Sequence, residues 1–194
     1  EMKAIVIYRM PNELEYFTLT SQLPFVKNSN KKEGFFFSEF EKGTIYCIED
    51  YETSKNEWPS FNSFDGAIPN TTKKQDYLSK VSQIKDLINV KEYEKVVFSK
   101  VKLVEKGIDF DLEKTFHSLC EKYPKAFVYC VSSQETGTWM GASPELLIEK
   151  KAAQFKTVSL AGTRIENTKW TSKETHEQQV VTDYISQIIE PFSN

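Results

Sequence analysis

Residues 126–131 read Ala-Phe-Val-Tyr-Cys-Val, a run that is apolar on both faces of an extended chain. Such a run is typical of a central strand that other elements cover on both sides. The residues just before it predict a helix over 111–121, with an apolar stripe of Leu112, Phe116, Leu119 and Cys120. Shorter strands are predicted after it, separated by turns with Gly, Pro and Lys, at residues 136–140, 145–149 and 154–158.

Short apolar runs in the first quarter of the chain predict three further strands, at residues 3–8, 34–37 and 44–49. Residues 50–72 are polar and include Pro59, Gly66 and Pro69. They predict a surface loop and the best candidate for a seam between subdomains. We otherwise expect a single domain over residues 1–194, since a chain of this length can bury one core.

Helical spacing recurs in two other places. One predicted helix is defined by Tyr77, Val81, Ile84 and Ile88. A long helix is predicted over residues 171–189, and Pro191 ends it. Between these helices, residues 95–104 alternate as a strand that begins at Lys95. This order of elements is that of an α+β fold, not the strict alternation of a doubly wound sheet.

Composition excludes several classes of function. The chain of 194 residues is 39% hydrophobic and 27% charged, which is normal for a globular protein. Its net charge of −3 gives no electrostatic reason to expect a nucleic-acid partner. No apolar run is long enough to predict a membrane span. The three scattered cysteines predict reduced, mostly buried thiols in a cytoplasmic protein.

Four compact strings follow one another in the second half of the chain. They are Lys95-Val96-Val97-Phe98-Ser99-Lys100, Gly141-Ala142-Ser143-Pro144-Glu145-Leu146-Leu147, Leu160-Ala161-Gly162-Thr163-Arg164 and Lys173-Glu174-Thr175-His176-Glu177. Together they resemble the chorismate-utilising enzymes, and within that superfamily the isochorismate synthases most closely. The resemblance is specific over residues 95–189 and looser towards the N-terminus. It implies chorismate as a small-molecule substrate and antiparallel β-sheets packed orthogonally with helices on the outside, a fold shared with the aminodeoxychorismate synthases and incomplete here.

Lys95 is the candidate base. The predicted strand would lay it beside apolar neighbours, where desolvation favours the neutral form of a lysine. From the residue alone, a solvated lysine at a strand end is the commoner interpretation. The resemblance implies instead that Lys95 activates water. Lys100 stands where the family's string ends in Arg, which keeps the charge and loses the planar fork.

Glu145 is the candidate acid. Pro144 biases the preceding residue to an extended conformation and so fixes how Glu145 enters the next segment. An ordinary surface glutamate at a turn is the alternative. The resemblance implies that Glu145 protonates the departing hydroxyl, on the face of the ring opposite to the base.

Glu177 is the candidate metal ligand. It lies one turn before Val180 and Val181 on the last predicted helix, so we expect an inward carboxylate that needs a partner. Magnesium suits one or two carboxylates with substrate oxygens and water, and the resemblance implies Mg²⁺ at Glu177. Glu174 completes a capping box with Thr171, and it stands where the family has an Asp behind the ligand. Gln178 replaces the family's His.

Ala161, Gly162 and Thr163 are the candidate substrate-binding residues. Gly162 allows close approach of the backbone, and Thr163 offers a hydroxyl, although a tight turn is the alternative interpretation. In the related aminodeoxychorismate synthases the position of Ala161 is a lysine that attacks the ring. Anthranilate synthases lack the lysine found here as Lys95. The resemblance therefore implies water as the nucleophile, with isochorismate or salicylate as the product, for menaquinone or siderophore biosynthesis.

The resemblance also implies that further family residues would follow the last helix, among them a second glutamate for Mg²⁺ and groups that hold the substrate's carboxylates. We therefore expect a chain truncated at its C-terminus, inactive or nearly so by itself, that can self-associate through the face left open. A non-catalytic domain that binds a partner is an alternative of a different class. A generic α+β domain is a third.

Overall fold

The computed structural model describes residues 2–40, 43–61 and 63–192. It is a mixed fold of antiparallel sheets and three α-helices in the described part of the chain. The strands are β1 (Ala4–Arg9), β2 (Phe17–Ser21), β3 (Val26–Lys27), β4 (Phe36–Ser38), β5 (Ile45–Cys47), β6 (Tyr51–Lys55), β7 (Phe127–Ser133), β8 (Gly137–Ser143), β9 (Glu149–Lys151) and β10 (Gln154–Lys156). The helices are α1 (Lys74–Asn89), α2 (Leu112–Lys122) and α3 (Ser172–Ile189), and a 3₁₀ turn, Glu190–Phe192, follows α3.

The main sheet has five strands in the order β6-β2-β1-β7-β8, and every pair in it is antiparallel. The predicted central run 126–131 is β7, which pairs with β1 so that Cys130 lies opposite Ile7. One face of this sheet packs its buried side chains around Phe116 of α2. The other face packs around Phe25 and Ile48, beside the small sheet β3-β5-β4. Burial on both faces explains why the run 126–131, which forms most of β7, is apolar.

Arg9 ties the end of β1 to the connection between α2 and β7. Its guanidinium is buried and donates to backbone carbonyl oxygens, including those of Tyr123 at 2.7 Å and Pro124 at 2.8 Å. These carbonyls lie at and just beyond the end of α2, where backbone acceptors lack helical partners. A buried charge is therefore compensated by peptide dipoles.

The chain divides into two compact units. The first comprises Glu1–Ile68 and Glu105–Glu145 and contains the main sheet, the small sheet and α2. The second comprises Pro69–Val104 and Leu146–Asn194 and contains α1, α3 and the hairpin β9-β10. Every buried side chain in the described part of the chain belongs to the first unit.

The predicted strand over residues 95–104 is wrong, because this segment has no regular secondary structure. Apart from the half-buried Phe98, its apolar side chains are exposed, with Val97 at 85% and Val104 at 75% of their full exposure. Alternation describes a strand's faces but not its hydrogen-bonding partner, and no described strand pairs with this segment. The predicted strand 145–149 is likewise wrong for most of its length, because β9 begins only at Glu149.

Residues 50–72 are not a continuous loop, since their first part forms β6 at the edge of the main sheet beside β2. The prediction missed β6 because an exposed edge strand needs no apolar alternation. The sequence also predicts one inward apolar stripe on the last helix, formed by Val180, Val181, Tyr184, Ile185 and Ile188, and this prediction is only partly right. Val180, Val181 and Ile185 are half-buried, whereas Tyr184 and Ile188 are exposed.

The cysteines are free and mostly buried, as the sequence predicts. All three cysteines are free thiols, with Cys47 and Cys130 buried and Cys120 half-buried. Burial alone raises the pKa of Cys130 to about 12. Among the described helices, none combines the length and the apolar character needed to cross a bilayer.

Candidate active site

Lys95 and Glu177 form an ion pair, with 2.9 Å between Lys95 Nζ and Glu177 Oε1. The two residues lie 82 positions apart in sequence, one in the irregular segment after α1 and the other in the second turn of α3. Their side chains retain 22% and 34% of their full exposure. The pair is therefore partly shielded from water, and a ligand can still reach it.

The segment that carries Lys95 is held against α1 by an aromatic contact. Phe98 stacks on Tyr77 of α1 with 4.9 Å between ring centroids, and Lys100 Nζ lies 5.3 Å from the same Tyr77 ring centroid. A lysine over an aromatic face is attracted by the ring's quadrupole. The string of residues 95–100 is thus anchored through Phe98 and Lys100 although it forms no strand.

Glu174 closes the N-terminal end of α3. Its carboxylate Oε2 accepts a hydrogen bond from the Thr171 backbone N–H at 2.9 Å and another from the Thr171 hydroxyl. These two hydrogen bonds, the hydroxyl's first, lower the pKa of Glu174. The predicted capping box is confirmed.

The segment that contains the candidate substrate-binding residues is hydrogen-bonded to α3 through Gln178. Gln178 Oε1 accepts from the backbone N–H groups of Ala161 at 3.2 Å and Gly162 at 3.4 Å. Gln178 Nε2 donates to the Ser159 carbonyl at 3.0 Å. Ala161 and Gly162 are half-buried, and Thr163 is exposed.

Gly162 lies under the indole ring of Trp170. A Cβ atom added at Gly162 would come within 2.4 Å of a Trp170 ring carbon, so no other residue fits without movement of the ring. The Arg164 guanidinium lies 5.6 Å from the Trp170 ring centroid on the same loop. The missing side chain of Gly162 predicted that another group could approach its backbone closely. In the structure that group is the Trp170 ring of the same chain.

Glu145 is the last residue of the first unit, directly after Pro144, and it is exposed. Lys95 and Glu177 belong to the second unit. The Glu145 side chain forms no hydrogen bond or ion pair with the described residues. Convergence of all three side chains on one ligand stays a prediction.

The metal prediction concerns a single protein carboxylate. The described residues contain no cluster of three or more His, Cys, Asp or Glu side chains that could hold an ion. Glu177 offers a partly exposed hard oxygen donor, and Glu174 is engaged at the helix end. This donor set fits an ion that takes most of its ligands from substrate and water, as Mg²⁺ commonly does.

Two residues around this site were not identified as functional candidates from the sequence. Gln178 was noted only as a departure from a motif, yet it follows Glu177 on the half-buried side of α3. Trp170 stands two residues before α3 begins, and its only sequence signal is a large aromatic side chain in a polar loop. Neither contact follows from spacing, since each depends on how the loop of residues 159–170 folds back on the helix.

Comparison of the sequence with known proteins identifies a family and one named relative. The family model described as chorismate binding enzyme matches residues 26–194. The chain is 28% identical over 107 residues to "Isochorismate synthase MenF" of Bacillus subtilis (strain 168), a match that covers 54% of this chain and 22% of that relative. No solved structure is significantly similar to the chain. Because the family model covers most of the sequence, this chain belongs to the chorismate-binding enzymes.

Proposed function

We propose that this chain is part of an isochorismate synthase, which converts chorismate to isochorismate by adding water at C2 and releasing the C4 hydroxyl. The observation that carries the proposal is the half-buried contact between Lys95 and Glu177. It joins two of the four family strings, which are far apart in sequence. Membership of the chorismate-binding family supports chorismate as the substrate, and the partial match to a named isochorismate synthase is the reason for choosing this reaction within the family.

In this proposal Lys95 acts as the neutral amine, after its ammonium has left Glu177 and given up a proton. It takes a proton from a water molecule, whose oxygen then bonds to ring carbon C2. The two ring double bonds shift as the C4–O bond breaks, and Glu145 gives its proton to the departing hydroxyl, which leaves as water. One water enters and one leaves, so the reaction is an isomerisation. The proposal requires Glu145 to reach the ring from the face opposite to Lys95.

The proposed cofactor is Mg²⁺, with Glu177 as its ligand from this chain. When bound, it would neutralise and orient a carboxylate of the substrate. Lys95 already contacts the Glu177 carboxylate, so the ammonium and the metal ion compete for one anionic group. Glu174 would support this arrangement indirectly, because it caps the start of α3 about one turn before Glu177.

Ala161, Gly162 and Thr163 are proposed to line the ring. A methyl group at position 161 leaves no amine to attack the ring, which supports water as the nucleophile. We also propose the finer features that the family resemblance implies. These are one chorismate-binding-type domain over residues 1–194, orthogonally packed sheets with outer helices, a cytoplasmic location and a role in menaquinone or siderophore biosynthesis.

The proposal is tested on the full-length protein of which this chain is proposed to be a part, because the chain by itself is expected to be inactive or nearly so. The full-length protein is incubated with chorismate and MgCl₂ in H₂¹⁸O, and the products are identified by mass spectrometry. We expect isochorismate carrying one ¹⁸O atom, and none from a Lys95→Met variant. Salicylate with pyruvate would assign the protein to the salicylate synthases instead. An aminated product in the presence of ammonia, or an absence of both chorismate binding and turnover, would contradict the proposal.

A further inference from the structure

Gln178 uses both ends of its side-chain amide on one short segment. Its oxygen accepts from the N–H groups of Ala161 and Gly162, at 3.2 and 3.4 Å. Its nitrogen donates to the carbonyl oxygen of Ser159 at 3.0 Å and has the Ser159 and Thr182 hydroxyl oxygens at 3.3 and 3.2 Å. This pattern fixes the orientation of the amide, because a flipped amide would set N–H groups against N–H groups.

The segment from Ser159 to Gly162 has little else to hold it. It belongs to no strand, so no sheet ladder fixes its backbone. A second tie to α3 runs between the Ser159 and Thr182 hydroxyls at 2.9 Å, one helical turn after Gln178. In place of a neighbouring strand, the side chain of Gln178 supplies the hydrogen-bonding partners of the Ala161 and Gly162 N–H groups and of the Ser159 carbonyl.

Gln178 follows Glu177 directly on α3. The same turn of helix therefore carries the ion pair with Lys95 and the side chain that holds the segment. We propose that Gln178 is a positioning residue, which holds the substrate-binding residues 161–163 at a fixed distance from Glu177. This inference rests on the proposed function, since it assumes that chorismate contacts these residues. In this proposal Gln178 contacts neither the substrate nor the metal ion, and it acts through the backbone of Ala161 and Gly162.

A positioning role for Gln178 and a purely structural role predict different effects of a substitution on ligand binding. Loss of the amide should displace residues 161–163 and leave the contact between Lys95 and Glu177 in place. A displacement of about 1 Å can cost about 10²-fold in an aligned reaction. Chorismate binding should therefore weaken while Mg²⁺ binding does not.

The chain offers a matched set of variants. Gln178→Leu keeps the approximate volume and removes both hydrogen-bonding ends, and Gln178→Asn keeps the amide on a shorter stem. Gln178→His should rescue, because an imidazole has one acceptor nitrogen and one N–H donor. Gln179→Leu is the control, since Gln179 is exposed and bonds only to Asp183 on its own helix, at 2.7 Å.

The test measures dissociation constants for chorismate and Mg²⁺ separately by calorimetry. For Gln178→Leu and Gln178→Asn we expect chorismate to bind at least about 10-fold more weakly, with Mg²⁺ affinity within about 2-fold of the wild type. Gln178→His and Gln179→Leu should bind both ligands like the wild type. Wild-type chorismate affinity in Gln178→Leu, or an equal loss of both affinities, would overturn the positioning role.

A second readout separates this inference from the proposed function. In protein labelled with 5-fluorotryptophan, the ¹⁹F resonance of Trp170, assigned with Trp170→Phe, reports on Gly162 beneath its ring. It should shift in Gln178→Leu and stay in place in Gln179→Leu. A wild-type protein that binds no chorismate would refute the proposed function alone. An unchanged Trp170 resonance in Gln178→Leu would refute the positioning role of Gln178.

Discussion

The carboxylate of Glu177 has to serve two cations in the proposed site. Lys95 occupies one of its oxygens at 2.9 Å, and neither side chain is fully exposed. A charge-assisted hydrogen bond of this length is strong where water is partly excluded. Substitutions at either residue should therefore lower turnover, and they should change the affinity for Mg²⁺ in opposite directions.

Lys95→Met should abolish most turnover while sparing the metal site. A general base contributes about 10²–10⁴-fold to rate, so turnover should fall by that factor. Mg²⁺ should bind at least as tightly, because the competing ammonium is gone. A turnover assay and a magnesium titration on the same sample measure both effects. Turnover equal to the wild type would remove Lys95 from the mechanism.

Glu177→Gln should weaken Mg²⁺ binding, because a neutral amide replaces the anionic oxygen donor that a hard cation prefers. Excess MgCl₂ should restore part of the activity. Glu166→Gln, in the exposed turn before Trp170, is the control for a lost negative charge. Magnesium titrations of the two variants provide the comparison, and equal affinities would exclude Glu177 as a ligand.

Among the elements, α3 carries the proposed metal ligand Glu177 and the positioning residue Gln178, and its first turn is set by Thr171 and Glu174. Thr171→Val keeps the shape of the side chain and removes the hydroxyl. It should destabilise the helix by about 0.5–2 kcal/mol, the usual cost of losing an N-cap. Thermal unfolding followed by circular dichroism measures the effect. An unchanged melting temperature would show that the cap does not contribute.

The same cap gives α3 a pH dependence. Hydrogen bonds from Thr171 lower the pKa of Glu174 in the folded chain. This contribution is fully present above the ordinary pKa of a glutamate and is lost as the pH falls through the lowered value. Helix content should therefore fall on acidification in the wild type, and less steeply in Glu174→Gln. Parallel acid titrations that coincide for the two proteins would contradict this assignment.

Elements with a strong apolar pattern were predictable from the sequence. The runs at 3–8 and 126–131 became β1 and β7, and the stripe that includes Phe116 became α2. Residues 95–104 alternate just as clearly and form no strand, since a pattern carries no information about a partner. The site was predictable only as a set of residue types. Contact between Lys95 and Glu177, and the bonds of Gln178, depend on tertiary folding of loops that have no period.

At the scale of the whole molecule, the two units differ in how much they bury. The first holds all of the buried side chains of the described chain, whereas α1 and α3 contain none. Large apolar side chains of the second unit are exposed, among them Val97, Leu147, Ile165 and Tyr184. Burying such a side chain is worth about 1.5–3 kcal/mol, a large share of a domain's net stability. The second unit should therefore be the less stable one.

Native-state hydrogen exchange tests this difference. Amides of β1 and β7 should exchange only through global unfolding, and those of α1 and α3 should exchange faster through local opening. Equal protection of both sets would mean that the second unit is stabilised by something other than buried apolar surface.

Exposed apolar side chains of the second unit also favour association. Sedimentation of the 194-residue chain should show self-association that increases with concentration. A strictly monomeric, cooperatively melting chain would contradict this expectation.

The central claim is that Lys95, Glu145 and Glu177 act on one chorismate molecule. A crystal structure of the protein with chorismate and Mg²⁺ tests it most directly. Our account predicts the chorismate ring between Lys95 Nζ and the Glu145 carboxyl group, with a substrate carboxylate and Mg²⁺ beside Glu177. A ring bound elsewhere, or a Glu145 side chain out of reach of the C4 hydroxyl, would contradict it.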